Sequence, residues 1–564
     1  MKGTVSLVIA VTGHRDLHPD YVSEYQKQVV EILRTLKDRH PHTPLLLLSG
    51  LADGADRVAV YAAQQVEIPY VAVLPMPKSE YRKDFTPESA AEFDRLLGDR
   101  VIELPVAQGQ SLSEIQKGGP ARDRQYRELG GFLVRYSQIL IALWDDQFTG
   151  KVGGTSDVVK MKLGQIRSAE RSHLMPSNFN GAGPVYVIPA VRAGSPRPQI
   201  PALRCEQRYP AGRNGKDYEK IYGLLDEYNA DVACSQNPAF EKAVRQSRKF
   251  LFEGGEAVGL SPAMEWVATV YAYADTLALR CARFSLRILH ATFGLLGLSG
   301  VMLAWLHVFE GGDPVLLGYY VCLIAGAGLL IWETRSGRRK KHEDYRALAE
   351  ALRVQFFWMA AGLSDLAAEQ YLLKHAGEMV WIREAISECG LHDPVAGLNA
   401  PVASDLPMRL RLAHTWVRGQ ANYFSGKQTQ YRRRRRFVVR LAQAGAALGL
   451  IAPIAAWLAP RMQWPAEAEI VRWSHATAAV ALWLAALLWN YIERRGFEQE
   501  EKEYARMFDL FCYADEQLEK YELAKDFDSS VETIRELGRA ALEENGDWLA
   551  MHRERKLSPH NLVG

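Results

Sequence analysis

Cysteine is scarce: six residues in a chain of 564, Cys205, Cys234, Cys281, Cys322, Cys389 and Cys512, with no pair at redox or metal-ligand spacing. That excludes a disulfide framework and a zinc module, and leaves reduced structural thiols of a cytoplasm-facing protein as the expectation. A cleavable leader is also missing. Val5–Val11 is apolar but too short, lacks a small-residue cleavage site, and runs on into Gly13-His14-Arg15. Neither sign of charge is in excess, since the net charge is +2. No Walker A loop and no GxGxxG fingerprint occurs, and no motif points to a bound cofactor or metal.

Long apolar runs, by contrast, are present, and only after about residue 285. Ile288–Leu306, Val315–Trp332, Phe437–Leu458 and Trp473–Ile492 each approach the roughly 20 residues a helix needs to cross the hydrocarbon core. Basic residues flank them on one side. Arg280, Arg283 and Arg287 precede the first run, Arg338–Lys341 follow the second, Arg432–Arg436 precede the third, and Arg494 and Arg495 follow the fourth. The connecting turns carry only Arg461 and Arg472 against four acids, Glu310, Asp313, Glu467 and Glu469. The positive-inside rule then predicts two helical hairpins with both termini cytoplasmic. The Arg432–Arg436 run abuts a span, which favours stop-transfer and anionic-lipid contact over nucleic acid. Acids and lysines are missing from the spans, which argues against an ion-coupled transporter. Glycines take their place: Gly294, Gly297 and Gly300 in the first span, Gly445 and Gly449 in the third. Such spacing suits close helix packing, or a pore formed by several subunits.

Before residue 192 short apolar strands alternate with helices of ten or more residues, which predicts an α/β fold with a mostly parallel sheet covered on both faces. Three strand ends carry anion-binding chemistry. The first reads Gly13-His14-Arg15. The second runs from Ser49 and Gly50 through Asp53 and Gly54 to Asp56, with a following helix N-terminus to offer N–H groups to phosphate. The third runs from Asp145 through Lys151, Gly153, Gly154, Thr155 and Ser156 to Asp157. Arg122 and Arg124, on a helix between them, either point at the same cleft or form a solvated face.

These three loops together resemble the SLOG superfamily of Rossmann-like domains, which includes nucleotide phosphoribohydrolases and sensors of nucleotide-derived signals in bacterial immunity. The hairpins with their charged flanking helices resemble SLATT-type effector modules. The resemblance implies a SLOG-like head over 1–192, and the patterning gives a connector with helices over 193–260 and a first hairpin with stalk helices over 261–362. A cytoplasmic helical segment over 363–426, a second hairpin over 427–525 and a charged tail over 526–564 complete the chain. The resemblance further implies a receptor in the bacterial inner membrane that senses a cyclic-nucleotide or ADP-ribose-type messenger. Its response would be to open or assemble a membrane lesion in anti-phage defence, as a homo-oligomer working with a separate messenger-producing enzyme. The phosphoribohydrolases carry a glutamate after their glycine turn, where this chain has Asp157, Val158 and Val159. The resemblance thus implies phosphate binding and puts hydrolysis in doubt; a membrane-tethered phosphoribohydrolase or N-glycosidase is the alternative.

Overall fold

A computed structural model describes residues 2–147, 152–166, 181–194, 204–235, 237–252, 260–309, 312–370, 379–392 and 406–554. Lys151 therefore lies outside the described residues. The chain forms two compact units. The first holds Met1–Thr276, Tyr345–Leu412 and Ile534–Gly564; the second holds Leu277–Asp344 and Ala413–Thr533.

The first unit is built on a seven-stranded sheet. Its elements begin β1 (Leu7–Gly13), α1 (Val22–Arg39), β2 (Leu45–Ser49), α2 (Ala55–Gln65), β3 (Tyr70–Leu74), α3 (Lys78–Tyr81), α4 (Pro87–Leu96) and β4 (Val101–Glu103). They continue α5 (Leu112–Gln116), α6 (Pro120–Tyr136), β5 (Ile139–Trp144), α7 (Thr155–Lys162), β6 (Val185–Pro189) and β7 (Glu206–Arg208). Every residue of β2 and β5 is buried, the mark of strands with helices on both faces. In α1 the buried residues Tyr25, Val29, Leu33 and Leu36 recur at helical spacing, so one stripe faces the sheet. Pro87 opens α4 behind Thr86, whose side chain accepts from the Ser89 amide at 3.3 Å. The strand order is β4-β3-β2-β1-β5-β6-β7, all parallel except β7, which runs antiparallel to β6. Connections therefore step one way from β1 to β4 and the other way from β5 onward. That reversal leaves a crevice beyond the carboxyl ends of β1 and β5.

The amino-terminal end of the sheet is closed by later helices: α8 (Gly215–Cys234), the start of α10 (Pro262–Phe309), on which α9 (Pro238–Leu251) packs, and others that lie between the two segments of the second unit in sequence. After α11 (Asp313–Arg335) these are α12 (Arg338–Ala360), α13 (Ala367–Gln370) and α14 (Val380–Ser387). The Asn229 side chain on α8 bonds both polar groups of Val5, at 2.9 and 2.8 Å. Glu388 accepts the Ser6 amide at 2.6 Å, and Arg135 at the end of α6 pairs with Glu369 of α13. Each of these bonds closes a backbone group or charge that the buried end of the sheet would otherwise leave unpaired.

The remaining helices are α15 (Leu406–Arg461), α16 (Glu467–Arg495), α17 (Phe497–Ala524) and α18 (Phe527–Glu554). Trp358 of α12 donates its indole N–H to the Ile534 carbonyl of α18 at 3.2 Å. Gly538 makes room for that ring, since a Cβ there would lie 2.1 Å from the indole nitrogen.

Among the described residues four helices are long and apolar enough to cross a membrane, in Pro262–Leu306, Asp313–Arg335, Leu410–Arg461 and Glu467–Ala524. The glycines of the apolar runs divide by neighbour. A Cβ at Gly449 would lie 2.6 Å from Leu482, and one at Gly445 3.3 Å from the Ala481 carbonyl, so α15 packs closely on α16. Gly300 faces Trp483, whose indole N–H donates to the Leu296 carbonyl at 3.0 Å. Gly294, in contrast, has nothing within 4 Å of its Cβ position.

Candidate functional site

The crevice between β1 and β5 opens into a cleft of about 340 Å³. Four segments supply its walls. The turn after β1 brings Gly13, His14, Arg15 and Asp16; the turn after β2 brings Ala52 and Asp56. The turn entering α7 brings Gly153, Gly154, Thr155 and Ser156, and α6 presents Asp123, Tyr126, Gly130 and Leu133. Tyr81 and Arg192 also line it.

Glycine is required at two of these turns. A Cβ on Gly13 would sit 2.4 Å from Ala55 Cβ and 2.5 Å from the Leu143 carbonyl oxygen. Gly153 has φ of 73°, and a Cβ there would sit 2.7 Å from the Arg127 amide nitrogen. Gly154 then caps α7, so Thr155 and Ser156 occupy a first helical turn whose amides point out of the helix toward the cleft wall.

The charged groups are arranged around aromatic rings. The Arg15 guanidinium lies 5.0 Å above the centre of the Tyr126 ring. Tyr126 donates to the Asp84 carboxylate, and burial with that neighbour pushes its pKa up to about 12. Tyr81 is fully buried and donates to the Gly50 carbonyl at 3.0 Å. Both phenols therefore stay neutral donors. Beneath them Asp56 is buried, with its Oδ2 accepting the Ala52 amide at 3.2 Å. Burial disfavours its carboxylate more than that bond and nearby Arg15 and Arg57 favour it, so its pKa rises to about 7. At the mouth, Arg192 Nε holds both Asp16 oxygens at 3.0 and 3.1 Å. His14 Nε2 lies 3.1 Å from both the Asp145 amide and an Asp145 carboxylate oxygen. A neutral ring accepts the first, and a protonated ring donates to the second.

Of the residues singled out in the sequence, Gly13, His14, Arg15, Asp56, Gly153, Gly154, Thr155 and Ser156 share this cleft; Lys151 lies outside the described residues, and the others do not line it. Ser49 is buried in its own turn, accepting from the Leu51 amide at 3.1 Å. Gly50 lies against Asp56 Oδ2, 2.8 Å from where its Cβ would be. Asp53 pairs with Arg57 at 2.9 Å. Gly54, with φ of 75°, is covered by the His14 and Arg15 carbonyls, and the Ala55 amide donates to His14 O at 3.1 Å. That helix start is packed on the first turn, so the anion-facing helix start is that of α7. Arg122 pairs with Asp84 at 2.6 Å, and neither it nor Arg124 lines the cleft. Asp157 Oδ2 accepts the Gly153 amide at 3.2 Å and so fixes the glycine turn. Asp145 acts on His14 from behind.

No protein-family model, curated protein or solved structure matches the chain. What the cleft takes up rests on its own chemistry. That chemistry is close backbone approach at two turns, an open helix start, one guanidinium over a ring, and a second guanidinium held by an exchangeable carboxylate. It suits a ligand with an anionic group and a flat apolar part. Tyr81, Asp123 and Arg192 were not legible as site residues, and Tyr126 was legible only as a member of the arginine-bearing helix. Tyr126 is one position off the arginines of its helix, and only the face Asp123-Tyr126-Gly130-Leu133, at helical spacing, could have marked it.

Proposed function

We propose that the chain is a membrane-embedded receptor and effector, whose SLOG-like, Rossmann-like first unit binds a nucleotide-derived messenger and whose four apolar helices span the membrane and breach it. One observation carries this reading: the cleft at the strand-order reversal gathers Gly13, Arg15 and the Gly153–Ser156 turn, in a chain that also bears four span-length apolar helices. Phosphates sit where backbone amides and Arg15 converge, and the Tyr126 ring takes the base or ribose edge. The arginine-rich helix ends support, by the positive-inside rule, a first unit on the cytoplasmic side of a bacterial inner membrane. A separate enzyme makes the messenger in response to phage, and subunits assemble to open the lesion. The commitment of Asp157 to the Gly153 amide weighs against the hydrolase alternative.

Dye release from proteoliposomes tests this. A panel of cyclic dinucleotides and ADP-ribose derivatives should contain a member that releases dye from vesicles holding the full chain. That member should fail with Arg15→Ala. Silence across the panel, with the protein correctly inserted, would sink the reading.

A further inference from the structure

An apolar groove of about 820 Å³ runs along the second unit between α10, α15 and α16. On α10 it extends from His290 to Val308 and on α16 from Trp473 to Tyr491. At about 1.5 Å per residue each wall is about 27 Å long, close to the roughly 30 Å of a bilayer's hydrocarbon core. The third wall is shorter. On α15 it runs only from Leu441 to Leu448, about 10 Å at that rise. Three walls therefore enclose the groove at the His290–Tyr491 end, to about the depth of one lipid leaflet, and two walls line the rest.

That enclosed end is the polar one. His290 Nε2 lies 3.1 Å from the Tyr491 hydroxyl. Arg287 sits one helical turn before His290, and Arg440 one turn before Ala444, so both project from the faces that line the groove. Both are exposed. Arg440 lies inside the third apolar run, where an arginine requires an anion or must reach back to the interface. Its neighbours Arg432 and Arg435 pair with Glu501 and Glu498, at 3.6 and 2.8 Å. Among the described residues no acid pairs with Arg440 or Arg287.

We propose that the groove seats an acyl chain of an anionic phospholipid, with its phosphate between Arg287 and Arg440. The apolar walls cover the chain, the two guanidiniums neutralise the phosphate, and the His290–Tyr491 pair meets the ester region. This rests on the four helices spanning the membrane, which retention in the pellet after alkaline carbonate extraction tests separately. It does not depend on any messenger.

The test is native mass spectrometry of the full chain, released from membranes in mild detergent and offered equal dioleoyl phosphatidylglycerol and dioleoyl phosphatidylcholine. Wild type should retain phosphatidylglycerol preferentially, and Arg440→Gln should lower that retention about fivefold. Ala444→Trp, which fills the enclosed end, should expel the lipid. Arg440→Gln lies on an exposed position, so it reads the headgroup without depending on the core. Equal retention of the two lipids, or unchanged phosphatidylglycerol with Arg440→Gln, overturns the proposal. So does an Ala444→Trp protein that loses oligomer mass while lipid retention is unaltered, which would put a second copy of the chain in the groove.

Discussion

Gly13 shows what a single missing methyl does for the cleft. Restoring it with Gly13→Ala sets a carbon against Ala55 Cβ and the Leu143 carbonyl, at 2.4 and 2.5 Å. Neither neighbour is the tip of a flexible side chain, so β1 must move. The full chain in detergent should lose about 1–3 kcal/mol on unfolding. Asp56 makes a sharper prediction because its sign is set. Its native pKa of about 7 lies above the ordinary 3.8, so the native state holds this proton longer than the unfolded chain does. The stability it contributes is complete below about pH 4 and is lost as pH rises toward 7, by at most about 1.4 kcal/mol per pH unit. Asp56→Asn keeps an oxygen for the Ala52 amide and abolishes that slope. Melting curves of wild type and variant at pH 5, 6 and 7 should converge as pH falls and separate as it rises; parallel curves would refute the assignment. At this scale the turn glycines were legible, because a glycine after a buried strand has few other uses. The roles of Asp53, Asp157 and Arg122 were not, because a charged side chain near a strand end bonds scaffold and ligand by the same chemistry.

Between elements the decisive contact is Arg135 with Glu369, joining α6 to α13 with both side chains nearly fully buried. Burial outweighs the arginine here and raises Glu369 to about pH 7, so desolvation dominates the pair. Removing one partner should therefore cost far more than removing both. Glu369→Leu alone strands a buried guanidinium and should cost about 3–5 kcal/mol, whereas adding Arg135→Met should restore most of it. Chemical denaturation of the two variants separates these cases; equal loss in both would mean that packing, not charge, governs the contact. Elements themselves were well legible. Ile139–Trp144 and Val185–Pro189 are strands with the bounds their apolar runs predict, and Pro262 opens α10 as the Ser261-Pro262 pair predicts. The short antiparallel β7 was hidden in a stretch read as a connector, because Glu206-Gln207-Arg208 is a polar edge strand with no alternation to reveal it.

For the whole molecule, long-range return was the illegible part. Glu388 bonds Ser6 across 382 positions and Trp358 bonds Ile534 across 176, and no local pattern announces such partners. Because the chain returns, the boundary between the two units falls inside helices: α10 at 276/277, α12 at 344/345, α15 at 412/413 and α18 at 533/534. An unbroken helix transmits displacement and rotation, whereas a flexible linker absorbs them. On the reading proposed above, a messenger shifts the effector only by binding its two states unequally, and the helices that run unbroken through the boundary would carry that difference to the spans. The test is to soften one crossing and leave both units whole. Leu279 and Arg280 are exposed positions of α10 just past its boundary, so Leu279→Gly with Arg280→Gly leaves the buried face of the helix in place. It should cost about 1 kcal/mol per glycine in local helix stability. Messenger affinity, read by isothermal titration of the full chain, should be unchanged while dye release falls at least tenfold. Should release persist at wild-type messenger concentrations, α10 is not the transmitting element. Should affinity fall with release, the two glycines have disturbed the first unit, and the corresponding pair in α15 becomes the informative variant.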